Sequence, residues 1–466
     1  MPEPGGLFGG VFGRGGADVS DTAWLQAMLD TEAALARALE RAGLAAPGAG
    51  AAVTAAARAD HFDVDDLGRQ AALTGNPVPA LVRALHALLP PEAAAAVHRG
   101  ATSQDIIDTA MMLLARSATR TTLTSLGRAA DAAAGLGERH QDTIMIGRTL
   151  LQQAVPVTFG LVAAGWLTSL DDAWAALALA RLDRLTVQFG GAAGTLASLG
   201  VDGPRVATLL AAELDLPESE LPWHTSRLRL IHLAGALAAA SAATGKIARD
   251  ITLLAQSEVA EVREGTAPDD SAGGAASAGA AGPGSAAPAG GATRQGGSSA
   301  MPHKHNPVAS IAILGCTKQV PGLVATVIAA AEQEHQRAAG AWHAEWQPLS
   351  ALLQLTASAA SWCEDLLAGL DVDAAAMRAN LDAAGGLPMS EHVTELLAAR
   401  LGSLAAHDLV ADAAASGRPF RAALAEATDA LTAEEIDAAL DPTGYLGAAG
   451  EFTRRALAVH RRDHPH

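Results

Sequence analysis

The chain of 466 residues carries 32 Lys+Arg against 50 Asp+Glu, a formal net charge of −18, and half of its residues are hydrophobic. Such acidity disfavours nucleic-acid binding by bulk electrostatics, because neutralising phosphates needs clustered cations; an anionic small molecule remains possible where a pocket gathers a few of them. Cys316 and Cys363 show no metal-type spacing and read as buried thiols of a reducing compartment, not as a disulfide framework.

The opening segment, MPEPGGLFGGVFGRGG, has no basic region followed by an apolar run, so no secretory signal is expected. Alanine and leucine dominate while aromatics are 3%. Both are strong helix formers and strand-preferring types are scarce, so the fold is expected to be all-α. Residues 1–99 read as shorter helices punctuated by Gly and Pro, as at Thr74-Gly75-Asn76-Pro77. The centre, 100–370, holds five long apolar stretches of helical period: about Asp105–Leu136, Val157–Leu185, Leu228–Val262, Pro307–Gln336 with a kink at Pro321, and Pro348–Leu370. Charged residues interrupt every apolar run before about 18 residues, which argues against membrane spans. One chain does not easily cover five such faces, so an oligomer is expected. Residues 371–466 return to shorter helices. Within the centre, 265–300 is predicted to be a mobile loop: from Gly265 to Gly297 it is nearly all Gly, Ala, Ser and Pro, with no hydrophobic anchor.

Several clusters along this frame could carry chemistry. Thr102-Ser103-Gln104-Asp105 fits a capping box, and hydroxyls at a helix start also suit a carboxylate ligand. Gly147-Arg148-Thr149-Leu150-Leu151-Gln152-Gln153 is a polar turn that reads equally as surface or as pocket wall. Gln188-Phe189-Gly190-Gly191-Ala192-Ala193-Gly194 lacks a preceding strand, so its glycines serve close backbone approach to a helix or ligand and not dinucleotide binding. Trp223-His224-Thr225-Ser226-Arg227 and the run from Arg337 to Trp346 bring together titratable and aromatic groups that also suit plain packing.

The most specific cluster lies directly after the Gly/Ala-rich loop. Ser298, Lys304 and Asn306 place a hydroxyl, a point cation and an amide within nine residues. No nucleophile elbow accompanies them, so acyl transfer is not indicated. The set suits carbanion chemistry, in which a base removes a proton next to a carboxylate and fixed donors hold the resulting dianion.

The segment GSSAMPHKHNP, residues 297–307, resembles the signature of the fumarase/aspartase superfamily, G-S-S-x-M-P-x-K-x-N. GATSQDIIDT and GRTLLQQAVPVTFG resemble its first and second shared regions. Within it, the closest likeness is to bacterial 3-carboxy-cis,cis-muconate cycloisomerases, through TGNPVPALVRAL, QFGGAAGTLASLG, PWHTSR and GAWHAEWQPL. The resemblance implies a three-domain helical homotetramer around a twenty-helix core, with each site built from three subunits. It implies Ser298 as the catalytic loop residue, with Lys304 and Asn306 on a substrate carboxylate. Thr102, Ser103, Arg148, Thr149, Gln152 and Arg337 match pocket positions; Gln153, Arg227, Ser299 and Met301 join them as substrate-binding residues.

This chain departs from the pattern in three places. Leu150 stands where many of these lyases have His, Gln153 where the cycloisomerases tend to have it, and His305 where Arg is common. His224 is then the available acid/base. A carboxylate or nitrite leaves without protonation, whereas an amine or hydroxide needs an acid. The activity the resemblance implies is cycloisomerase-like addition and β-elimination through an enolate. The runner-up is elimination of an acidic group from a substituted succinate, as in nitrosuccinate, ahead of argininosuccinate or adenylosuccinate. A catalytically silent homologue is the remaining alternative. The expected substrate is an anionic di- or tricarboxylate and the expected location the cytoplasm. No metal or cofactor is called for, because Lys304 and helix-end donors can supply the electrostatics.

Overall fold

The structure is a computed structural model that describes residues 6–265, 301 and 304–463. Its contacts divide the chain into two compact units built from alternating stretches: 1–126, 172–245 and 312–362 form the first, and 127–171, 246–311 and 363–466 the second.

The first unit is helical throughout. Ser20 accepts a hydrogen bond from the Ala23 amide at 3.2 Å and so caps the Asp21–Arg41 helix, satisfying one of its free N–H groups. That helix buries Leu25, Met28 and Leu29 in a core with Leu81 and Leu85 of the Val78–Ala87 helix and Ile106, Ile107 and Ala110. The expected helix from Asp105 is Ser103–Arg139, and the expected Pro348–Leu370 helix starts earlier, as Ala341–Ala368 with Pro348 inside it. The Pro307–Gln336 stretch is two helices, Val308–Thr317 and Val320–Ala329, with Pro321 in the first turn of the second, where its missing N–H does no harm.

The second unit is also mainly helical, as expected, with two short antiparallel strand pairs added. Ile144–Thr149 pairs antiparallel with Gln152–Thr158, and Val262–Glu264 with Leu370–Val372. The β-branched runs Ile-Met-Ile and Val-Pro-Val-Thr explain the first pair. The Leu228 helix stops at Leu254, short of the expected Val262, where the chain turns through Ala260 at φ +51. Helices from Ala374 to Asp463 fill the rest, with Val393, Leu397, Val410, Phe420, Leu424 and Ile436 as a local core. Two stretches, Leu228–Leu254 and Val308–Ala329, are long and apolar enough to cross a membrane by length and composition.

Candidate active site

In the first unit the site residues gather around Asp105, at the start of the Ser103–Arg139 helix. Its Oδ2 accepts from the Thr102 amide at 3.0 Å and the Gly191 amide at 2.9 Å; its Oδ1 accepts from the Gly190 amide at 3.0 Å and faces His224 Nε2 at 2.6 Å. A carboxylate at a helix N-terminus is favoured by the macrodipole, and three backbone N–H groups satisfy it away from water. The glycines are required here. A Cβ on Gly190 would lie 2.6 Å from His224 Cε1, and Gly191 sits at φ +66 with a Cβ position 2.8 Å from Gly100 O. The close backbone approach expected of this segment is thus made to Asp105 and His224.

His224 is only 4% exposed and its Nε2 is committed to Asp105. Through this nitrogen the ring supports the Asp105 nest.

The expected role of Arg227 is corrected. Its guanidinium bridges Asp108, at 2.7 and 3.0 Å, and Glu345, at 2.6 and 3.0 Å, with the carbonyls of Trp223 and His224 at 3.5 and 3.4 Å. Five N–H donors are then all occupied, and the side chain is about 1% exposed. No donor remains for a substrate carboxylate. Trp342 Nε1 donates to Asp108 at 3.0 Å and Gln333 Nε2 to Glu345 at 2.9 Å, completing the cluster. Burial pushes the Glu345 carboxyl up to about 7, with the Asp108 charge adding and Arg227 opposing. Arg337 differs: its Nη atoms donate to the carbonyls of Gln336 and Gly191, and it forms no ion pair among the described residues. The Thr102 and Ser103 hydroxyls, half-buried, make no hydrogen bond among the described residues.

In the second unit, the hairpin carries the second region. Thr149 pairs with Gln152 across a two-residue turn, so Leu150 and Leu151 must both adopt positive φ, +51 and +64. Non-glycine residues held there each cost about 1–3 kcal/mol. Thr149, Gln152 and Gln153 are exposed. Arg148 is not available in the way expected: Nη1 and Nη2 donate to Glu261 at 2.8 and 2.7 Å. The pair is neutral as a whole, so Arg148 supplies no net charge to an anion.

Glu264, at the end of the Val262–Glu264 strand, accepts from the amides of Ala309 and Ser310, both at 2.9 Å, and from Ser310 Oγ at 2.7 Å. It caps the helix that follows Asn306. Lys304 is exposed and has no side-chain partner among the described residues; Asn306 is half-buried and Met301 exposed. Ser298 and Ser299 lie outside the described residues. Of the four candidate cations, then, Lys304 and Arg337 form no ion pair among the described residues, while Arg148 and Arg227 do.

The sequence reading missed Asp108, Glu345, Glu261 and Glu264. The first two lie in quoted segments, but a buried ion pair across more than a hundred residues leaves no local spacing. Glu261 precedes and Glu264 ends the short Val262–Glu264 strand, just where the helical stretch expected from Leu228 was to end.

A sequence profile of a family described as lyase matches residues 16–275. The chain is 44% identical to a 3-carboxy-cis,cis-muconate cycloisomerase of Bradyrhizobium diazoefficiens, covering 96% of each protein. It is 43% identical to a nitrosuccinate lyase of Streptomyces davaonensis, covering 97% of this chain and 93% of the other. The crystal structure of 3-carboxy-cis,cis-muconate lactonizing enzyme from Pseudomonas putida superimposes with a TM-score of 0.86 at 39% identity, over 98% of this chain and 99% of that one. Joined to the signature around Lys304 and Asn306, these likenesses make the chain an enzyme of the lyase family in the fumarase/aspartase superfamily.

Proposed function

We propose that the protein is a 3-carboxy-cis,cis-muconate cycloisomerase-like enzyme. In the elimination direction a base takes the proton α to a carboxylate, the enolate forms, and the C–O bond at the β carbon breaks to release a carboxylate. In the lactone-forming direction that carboxylate oxygen adds to the alkene and the α carbon is protonated. Ser298 is the base. Lys304 and Asn306 hold the carboxylate that becomes the enolate, and Arg337, with the Thr102 and Ser103 hydroxyls, clamps another. Thr149, Gln152 and Gln153 line the pocket. The observation that carries the reading is the complete signature, with Lys304 exposed and without a side-chain partner among the described residues, in a chain 43–44% identical to two cycloisomerases over nearly its full length. Ultraviolet loss of 3-carboxymuconate in the presence of the purified protein tests it directly.

A second reading, elimination of nitrite from nitrosuccinate, is favoured by one specific feature. Gln153 stands where the cycloisomerases tend to have His, and nitrite, like a carboxylate, needs no proton to depart. Gln153→His separates the two. Histidine titrates near ~6.5, so in a cycloisomerase the substitution is expected to raise muconate turnover and add a pH limb near that value. In a nitrite-releasing enzyme it is expected to be neutral or harmful. An unchanged rate and pH profile on both substrates would remove position 153 from proton transfer.

The working form is a cytoplasmic, three-domain homotetramer with sites shared between subunits. Leu179 and Leu182 on the Phe159–Arg184 helix, Ile311 on Val308–Thr317 and Ile328 on Val320–Ala329 are more than half exposed in one chain, which supports mutual cover by further copies. Light scattering at micromolar concentration is expected to give four chain masses; a monomer would overturn the shared-site arrangement.

A further inference from the structure

We propose that Glu261 is a positioning residue for the reaction, holding the Thr149–Gln152 end of the hairpin in a backbone conformation that its own sequence disfavours. The role rests on the reading above, in which Thr149, Gln152 and Gln153 line the pocket. A two-residue hairpin turn with both φ values positive suits Asn-Gly; here it is Leu150-Leu151. Neither leucine gains packing that would favour this shape, since Leu150 is 97% and Leu151 72% exposed.

The restraint comes from the residue before the turn. Arg148 is gripped by both Glu261 oxygens, and Glu261 is itself immobilised from three sides. Asn380 Nδ2 donates to Glu261 Oε1 at 2.8 Å and also to Val259 O at 2.8 Å. The Glu261 amide donates to Leu254 O at 3.0 Å, and its carbonyl accepts from the Asp373 amide at 3.0 Å. Glu261 is fully buried and the Arg148 side chain only a quarter exposed, so the grip is largely shielded from water. A planar guanidinium held at two points fixes the direction of the strand into the turn, which a single-point contact would not do. Backbone held out of its preferred region persists only where its surroundings over-determine it, and such places cluster at functional sites.

A double-mutant cycle tests the role. Glu261→Gln breaks the two-point grip while keeping the side-chain shape; Leu150→Asn with Leu151→Gly gives the turn the residues it suits. In the native Leu-Leu turn, Glu261→Gln is expected to lower kcat/KM about tenfold and to speed hydrogen exchange across 144–158. In the Asn-Gly background the same change is expected to cost less than about threefold, with exchange nearly unchanged. Asn380→Ala should repeat the pattern more weakly, and it serves if Glu261→Gln does not fold. Equal effects in both backgrounds would overturn the proposal, since a merely structural carboxylate does not depend on the turn residues. If the native protein turns over no carboxylate substrate, the proposed function fails instead; the exchange comparison still decides what Glu261 does.

Discussion

Ser298→Ala is expected to lower kcat by at least ~10²-fold, the scale of losing a general base, with the fold unchanged. A serine hydroxyl is ordinarily far too weak an acid to serve as a base at neutral pH. It can do so only where donors and a cation favour its oxyanion. Lys304, six residues on and without a side-chain partner among the described residues, is the cation the chain offers. KM should change little, because the carboxylate contacts of Lys304, Asn306 and Arg337 remain. Steady-state kinetics, with circular dichroism to confirm folding, checks this. An alanine variant within a few-fold of the native rate would remove Ser298 from the chemistry.

The largest stability effect is expected at Arg227. Arg227→Leu leaves Asp108 and Glu345 buried side by side without their cation, which should destabilise by roughly 3–5 kcal/mol. For a unit of this size that is an apparent melting temperature lower by about 10 °C. A melting temperature within about 2 °C of the native one would mean that water reaches the cluster. The pH dependence has a definite sign. Glu345 titrates at about 7 in the fold against an ordinary value of 4.5. The folded chain therefore binds the extra proton between those values, and this residue's contribution to stability falls as pH rises through that window. Glu345→Gln is expected to flatten that limb of a melting-temperature profile. An unchanged slope between pH 5 and 7 would show that Glu345 stays ionised throughout.

The long helices were legible because their apolar period is sustained, as in the stretch from Asp105 that becomes Ser103–Arg139. The hairpin was not, since Ile144–Thr149 and Gln152–Thr158 are short, rich in polar residues at the turn, and embedded in an alanine- and leucine-rich chain. Lys304 and Asn306 could be read from one contiguous signature. Which of the four cations are ion-paired could not, because it depends on partners distant in sequence: Arg148 with Glu261, and Arg227 with Asp108 and Glu345. The Asp105 partner of His224, 119 residues away, could not be read for the same reason.

The central claim is that this chain carries out addition and β-elimination at a carboxymuconate through a serine base. The most direct measurement is the turnover of 3-carboxy-cis,cis-muconate and of nitrosuccinate by the same purified protein, the first followed in the ultraviolet and the second by released nitrite. The account predicts saturable consumption of the carboxymuconate, with kcat/KM well above that for nitrosuccinate and abolished by Ser298→Ala. Nitrite release with no carboxymuconate turnover, or muconate turnover that survives Ser298→Ala, would contradict it.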